Sequence, residues 1–206
     1  IYLCANEVEY SHPKVKTILA GKYISWATDC IKCLRKIKTK YIIFLQEDFL
    51  LQKPVNTKRL LELVSYTEKR KAACLRLYPS PPPNKVCEDN PEIGEINKGA
   101  LYRVSLQAAI WNRKIFLSLL RDGESPWDME YYGSLRSNSL SSPFLSVLKG
   151  ERVIDYFSTA VVQGEWVRRA VKICEREGIL IDKNRRKVES WFRQAKRELL
   201  DPFVIN

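Results

Sequence analysis

Tyr41-Ile42-Ile43-Phe44-Leu45-Gln46-Glu47-Asp48 is an apolar, β-branched and aromatic run that ends in adjacent carboxylates. It reads as a buried strand delivering acids to its C-terminal edge, because a buried strand does not tolerate charge in its middle. Open α/β sheets bind ligands at that edge. Two hard oxygen donors there suit a divalent cation, Mn or Mg, that also holds a phosphate. The plainer alternative is that Glu47 and Asp48 solvate a strand end or begin the next helix.

Working outward, strand and helix patterns alternate. Ile1 to Cys4 reads as a strand, Ser25 to Lys38 as a helix and Val55 to Thr67 as a second helix with Leu60, Leu61, Leu63 and Val64 on its apolar side. Ala72 to Leu77 reads as another strand. Alternation of this kind implies βαβ units and a mixed, mostly parallel sheet flanked by helices, an α/β fold. The run Pro79-Ser80-Pro81-Pro82-Pro83-Asn84 stops regular structure, and an irregular connection is expected to about Lys98. Tyr102 to Ala109 is expected as a strand and Arg113 to Leu120 as a short amphipathic helix. Ser125-Pro126-Trp127-Asp128-Met129-Glu130 has the marks of a helix start: a capping serine, proline at the first helical position, and acids at the positive end of the dipole. Ser137 to Pro143 reads as a loop and Val153 to Phe157 as a last strand. Beyond Glu165 the chain reads as basic helices, a helical extension over 166–206 on a single domain whose sheet-containing core is 1–165.

The 206 residues, 45% of them hydrophobic, suffice for a sizeable core and argue against general disorder. A net charge of +11 favours anionic partners: sugar nucleotides, phospholipid head groups or nucleic acid. Six scattered cysteines in a chain with an adequate core do not read as a disulfide scaffold, so a reducing, cytoplasmic compartment is expected. Cys30 and Cys33 fall inside a helical pattern with Ile31, Leu34 and Ile37, where packing explains them. A single histidine, His12, speaks against a histidine-based hydrolase or a multi-histidine metal site. No apolar stretch approaches the roughly 20 residues needed to span a bilayer. The chain opens in strand-like sequence without an initiator methionine, and a fragment is expected.

Four segments, in this order and spacing, resemble the GT-A fold glycosyltransferases, especially small bacterial and viral-type enzymes related to the family-two inverting transferases. Ser25-Trp26-Ala27-Thr28-Asp29 stands where such enzymes have a nucleotide-contacting turn, and Gln46-Glu47-Asp48 where they carry an Asp-x-Asp metal motif. Ser105 to Arg113 looks like their donor-sugar strand, and Gly123 to Glu130 like the acceptor-side motif that contributes the carboxylate base. The acidic motif departs from Asp-x-Asp, leaving charge only on Glu47 and Asp48, and Ile1 to Cys4 looks like the family's second strand, so its first strand is expected to be missing.

The resemblance implies transfer of a sugar from a nucleoside diphosphate sugar to a glycan or lipid-linked acceptor of polysaccharide, glycolipid or lipopolysaccharide type, inverting and dependent on a divalent cation. Under it Asp48 and Glu47 hold the metal. Ser25, Trp26, Asp29, Glu47, Gln107 and Arg103 serve the donor, Trp127 stacks on the acceptor, and Asp128, Glu130 or Glu124 is the base. Each residue has a plainer reading: Trp127 as a core anchor, Gln107 in an internal backbone contact, Arg103 on a solvated strand face, the acids as helix caps. The basic, aromatic C-terminus suits peripheral contact with the inner face of a membrane or is simply a solvated surface. Two rivals remain. One is a catalytically silent domain of the same fold serving as an interaction platform. The other, a nucleic-acid-binding module, has no recognition motif behind it, and no nucleic-acid partner is expected.

Overall fold

The computed structural model describes residues 1–148 and 153–200. Along the chain run β1 (Tyr2–Ala5), β2 (Lys16–Leu19), α1 (Trp26–Lys36), β3 (Tyr41–Phe44), β4 (Leu50–Leu51), α2 (Thr57–Lys69), β5 (Cys74–Arg76), β6 (Lys85–Cys87), β7 (Asn90–Ile96), β8 (Ala109–Asn112) and α3 (Arg113–Leu119). Then follow α4 (Pro126–Ser137), β9 (Phe144–Val147), β10 (Tyr156–Phe157), β11 (Val161–Val162), β12 (Glu165–Trp166), α5 (Arg168–Arg176) and α6 (Trp191–Leu200). These gather into two compact units, one of Ile1–Leu45 with Asn56–Val153, the other of Gln46–Val55 with Ile154–Asn206. The basic helices expected from residue 166 onward thus belong with residues 46–55 and 154–165.

The first unit holds a six-stranded mixed sheet in the order β3-β8-β5-β9-β7-β6, and a parallel β1–β2 pair. The α/β class stands, but the mostly parallel sheet does not. Within the six-stranded sheet, among the described residues, only β5 and β9 pair in parallel, while β3–β8, β8–β5, β9–β7 and β7–β6 are antiparallel. Half of the cause is β8, which runs antiparallel to both β3 and β5, and the other half lies in the 79–98 stretch. In place of an irregular connection it contains the β6–β7 hairpin, which adds two strands without a helical crossover. Gly94 on β7 lies so close to the proline run that a Cβ there would meet Pro83 Cγ at 2.5 Å and the Lys85 carbonyl at 2.7 Å. A second shift concerns the strand expected over 102–109. Tyr102 has φ 53°, and the strand begins only at Ala109.

Helix starts follow local chemistry. Ser25 accepts from the Thr28 amide at 3.1 Å to open α1, whose Ala27, Ile31, Cys33 and Leu34 turn inward. Asn112, the last residue of β8, accepts from the amides of Lys114 and Ile115 at 3.1 and 3.2 Å, so the strand turns directly into α3. Behind the sheet runs a chain of aromatic contacts. Trp26 meets Phe44 edge-on, Phe44 meets Phe116, Phe116 stacks on Trp111 with centroids 4.7 Å apart, and Trp111 meets Phe144 edge-on. Rings of this size each remove a large apolar area from water.

Two arginines are buried in the same unit. Arg76 on β5 donates to the carbonyls of Pro81 (2.7 Å), Tyr102 and Arg103 (3.1 Å). Arg103 donates to Ile96 O and Ser137 O, the latter at 2.7 Å, with its guanidinium 4.1 Å from the Phe144 ring centroid. The backbone that runs without regular structure from Ile96 toward Ala109 needs donors for its carbonyls, and these guanidinium groups supply them. Desolvation pulls the Arg76 guanidinium down to about 10.

In the second unit, β4 pairs with β10 and β11 with β12, and Phe157, Ala160, Val167, Ala170 and Ile173 form a small core against one side of α5. None of the helices among the described residues is long and apolar enough to cross a membrane.

Candidate functional site

The acceptor-side motif sits at the start of α4. Ser125 and Asp128 close a reciprocal capping box. The Asp128 amide donates to Ser125 Oγ at 3.2 Å, and the Ser125 amide and hydroxyl donate to Asp128 Oδ2 at 2.9 and 2.6 Å. Those bonds to the carboxylate hold Asp128 below the usual aspartate range, which weakens it as a base. Glu124 is held by Arg136 in a bidentate pair at 2.7 and 2.7 Å. Glu130, half-buried one turn in, accepts from the Leu106 amide at 2.7 Å and from Ser105 Oγ at 3.2 Å through the same oxygen, Oε1. Trp127 is 77% exposed and so is not a core anchor. Tyr131 and Leu135 follow it at four-residue intervals and are also exposed, forming one apolar stripe along α4.

The start of α1 lies against this motif. The Ala27 amide donates to Glu124 O at 3.1 Å and the Gly123 amide to Thr28 Oγ1 at 3.2 Å. Ser25 is consumed as the helix cap, and Trp26 packs on Phe44. Asp29 accepts from Asn6 Nδ2 at 2.7 Å and from Lys32 Nζ at 3.4 Å. Asn6 stands just past β1 and also donates to Gly21 O, so it joins the ends of the two short parallel strands to α1. Gln107 lies two residues beyond Ser105, and its amide donates to Ser105 Oγ at 3.4 Å, within the segment that Glu130 holds. Within the first unit, three of the four sequence motifs therefore meet: the α1 start, the 105–107 segment and the α4 start.

Arg103 is the exception. Expected on a strand facing phosphate or solvent, it is buried, and the groups it binds are backbone carbonyls and the Ser137 hydroxyl. It cannot reach a ligand without abandoning them, so donor contact is corrected to a structural clamp.

The fourth motif belongs to the second unit. After β3 the chain turns at Gln46–Phe49, with the Phe49 amide on Gln46 O at 3.2 Å. This places Glu47 exposed and Asp48 half-buried, with the Asp48 carbonyl accepting from the Ala160 amide at 3.1 Å. Burial, and next the charge of Glu47, push the Asp48 carboxyl above the ordinary aspartate range, against the opposing pull of its own amide, the Val161 amide and Arg186. A carboxylate made costly in this way is relieved by a cation. No group of three or more His, Cys, Asp or Glu side chains suited to a metal occurs among the described residues. The pair still fits a magnesium-type ion, which binds through one or two carboxylates and takes its remaining ligands from phosphate and water.

Searches against family models, curated proteins and solved structures returned no match to the chain. Asn6 and Arg136 lie outside the segments singled out from sequence, while Thr28 and Ser105 lie inside them but with contacts the sequence does not assign. Asn6 was hidden because its partner Asp29 lies 23 residues away. Arg136 falls three turns into α4 from Glu124, a spacing that carries no local signal.

Proposed function

We propose that the chain is a GT-A-like glycosyltransferase that moves a sugar from a nucleoside diphosphate sugar to a glycan or lipid-linked acceptor, with inversion and with help from a divalent cation. The observation that carries this reading is the meeting of the α1 start, the 105–107 segment and the α4 start, three segments whose order in sequence carries the resemblance. In the reaction the acceptor hydroxyl oxygen bonds to the anomeric carbon while the bond to the diphosphate breaks, and the nucleoside diphosphate leaves. Glu130 takes the hydroxyl proton. It is preferred over Asp128, which is occupied in the capping box, and over Glu124, which is paired to Arg136. Asp48 and Glu47, in the second unit, would hold a divalent cation, which when bound offsets charge on a diphosphate. Trp127 and Tyr131 offer ring faces to the C–H surface of an acceptor sugar.

The test is calorimetric titration with uridine, guanosine and thymidine diphosphate sugars, with and without manganese, alongside a transfer assay. Asp48→Ala should lose metal-linked donor binding, and Glu130→Gln should keep donor binding while losing transfer by about 10²- to 10⁴-fold. Full transfer by both variants would refute the assignment. A second reading, a catalytically silent platform, is favoured by the structural commitment of Asp128 and Glu124, and it is distinguished by absence of metal-linked binding to any of the three donor types.

A further inference from the structure

In the second unit, α5, α6 and the segment between them line an open pocket of about 520 Å³, within the size range of small-ligand sites. Its polar lining is mainly cationic, with Arg168, Arg169 and Lys172 from α5 and Lys183 from the following segment. The one acid on the wall, Glu175, is already paired with Lys183 at 3.0 Å. Neither Arg168, Arg169 nor Lys172 forms an ion pair with a carboxylate among the described residues. Arg168 and Lys172, four apart, share one helix face and repel each other.

The Arg168 guanidinium lies 4.3 Å from the Trp191 ring centroid, which fixes its plane, and its buried Nε has no hydrogen-bond partner among the described residues. A site with several unneutralised cations and an unsatisfied buried donor is complementary to an anion with several acceptor oxygens. The rest of the wall is Val171, Val188, the Trp191 ring and the polar side chain of Gln194.

The surroundings decide which anion. Trp191 is 68% exposed although it lines the pocket, Phe192 beside it is 80% exposed, and Ile179 and Leu180 on the loop after α5 are exposed as well. Between residues 166 and 200 eleven Lys and Arg face five acids. Exposed tryptophan and phenylalanine among basic residues are the composition of a surface that rests at the headgroup level of an anionic bilayer. We propose that the α5–α6 pocket takes the phosphate of an anionic phospholipid headgroup and docks the chain on a membrane, with Trp191 and Phe192 entering the interface. This deepens the lipid-linked branch of the transferase reading. Vesicle binding needs neither donor nor metal, so the two ideas can fail separately.

The test is co-sedimentation of the full chain with vesicles of phosphatidylcholine alone and of phosphatidylcholine mixed with phosphatidylglycerol. Binding is expected only to the mixed vesicles. A basic residue near such a surface is worth roughly a fivefold change in partitioning, so Arg168→Gln/Lys172→Gln should weaken binding by about 25-fold. The charge-matched Lys58→Gln/Lys69→Gln variant, at exposed positions on α2, should stay within about twofold. Lys172→Glu alone, at an exposed position that leaves packing intact, should weaken binding more than Lys172→Gln. Equal losses in the pocket and control variants would overturn the proposal. So would binding of inorganic pyrophosphate without vesicle binding, or displacement from vesicles by single-stranded RNA at low concentration.

Discussion

Glu124→Gln separates architecture from catalysis at the acceptor-side motif. The Glu124 carboxylate receives two bonds from Arg136, at 2.7 and 2.7 Å, while its carbonyl accepts from the Ala27 amide of α1. The two side chains are only 14% and 23% exposed, so screening takes little from their attraction. Glutamine keeps the shape and one acceptor, removes the charge, and leaves a guanidinium whose Nε already has no hydrogen-bond partner among the described residues. A hydrogen bond to a charged group is worth about 1.5–3 kcal/mol, and one of the two is lost while the other weakens, so a cost of about 2 kcal/mol is expected. For a chain of this size that lowers Tm by roughly 4–8 °C. Urea midpoints and thermal melts of Glu124→Gln, Arg136→Gln and the double variant measure it as a coupling energy, expected to be about 1–2 kcal/mol. Transfer per folded molecule should be unchanged. An unaltered midpoint combined with abolished transfer would refute the argument and make Glu124 the base in place of Glu130.

Removing the α4 cap with Ser125→Ala should cost about 1 kcal/mol, read from the urea midpoint. Because the folded Asp128 value lies below its unfolded one, the contribution of the box is fully present above the unfolded aspartate range and fades as pH falls through the depressed value; Ser125→Ala should flatten that acid-side slope. Asp48 has the opposite sign. Its folded value lies above the unfolded one, so its ionisation destabilises the fold at neutral pH and this cost vanishes below the unfolded value. Asp48→Asn should therefore melt at a higher temperature than the parent near neutrality, converge with it in acid, and lose manganese-linked binding; a lower neutral melting point would contradict the electrostatics. Trp127→Ala should change stability by no more than about 0.5 kcal/mol, as an exposed position does, while raising KM for the acceptor. A drop of several kcal/mol in the same melt would return Trp127 to a packing role.

What could be read from sequence was what is local. The starts of α1 and α4 carry their caps within three residues, and both helices were found close to where they are. β3 is legible in its run of apolar and aromatic residues, but the buried strand that run suggests is an edge strand, with Ile43 exposed and its neighbours half-buried. Strand direction is set by pairing across the chain, and β7, interrupted by Pro91 and Gly94, shows no alternation that marks a strand. β6 and β7 bring two of the antiparallel pairings, and β8, antiparallel to both β3 and β5, brings the other two. At the site, the acids could be named, but their duties could not. Asp128 looked like both a cap and a base, and only the Ser125 bonds separate it from Glu130. Arg103 was misjudged because the carbonyls that bind it come from Ile96 and Ser137, one before it and one far after, and a lone arginine gives no sign of either.

The contact between Gly94 and the proline run ties two distant kinds of sequence change together. The run looks like a spacer, the sort of tract that drifts in length and composition, yet Pro83 occupies the volume that any side chain at position 94 would need. Substitution at 94 thus needs position 83 to shrink or move first and the Lys85 backbone to shift as well, and lengthening of the tract is limited by the need to return Lys85 to its register with Glu95. Across a lineage the two positions should change in a fixed order, the proline before the glycine, giving an apparently idle linker the mutational constraint of a core residue.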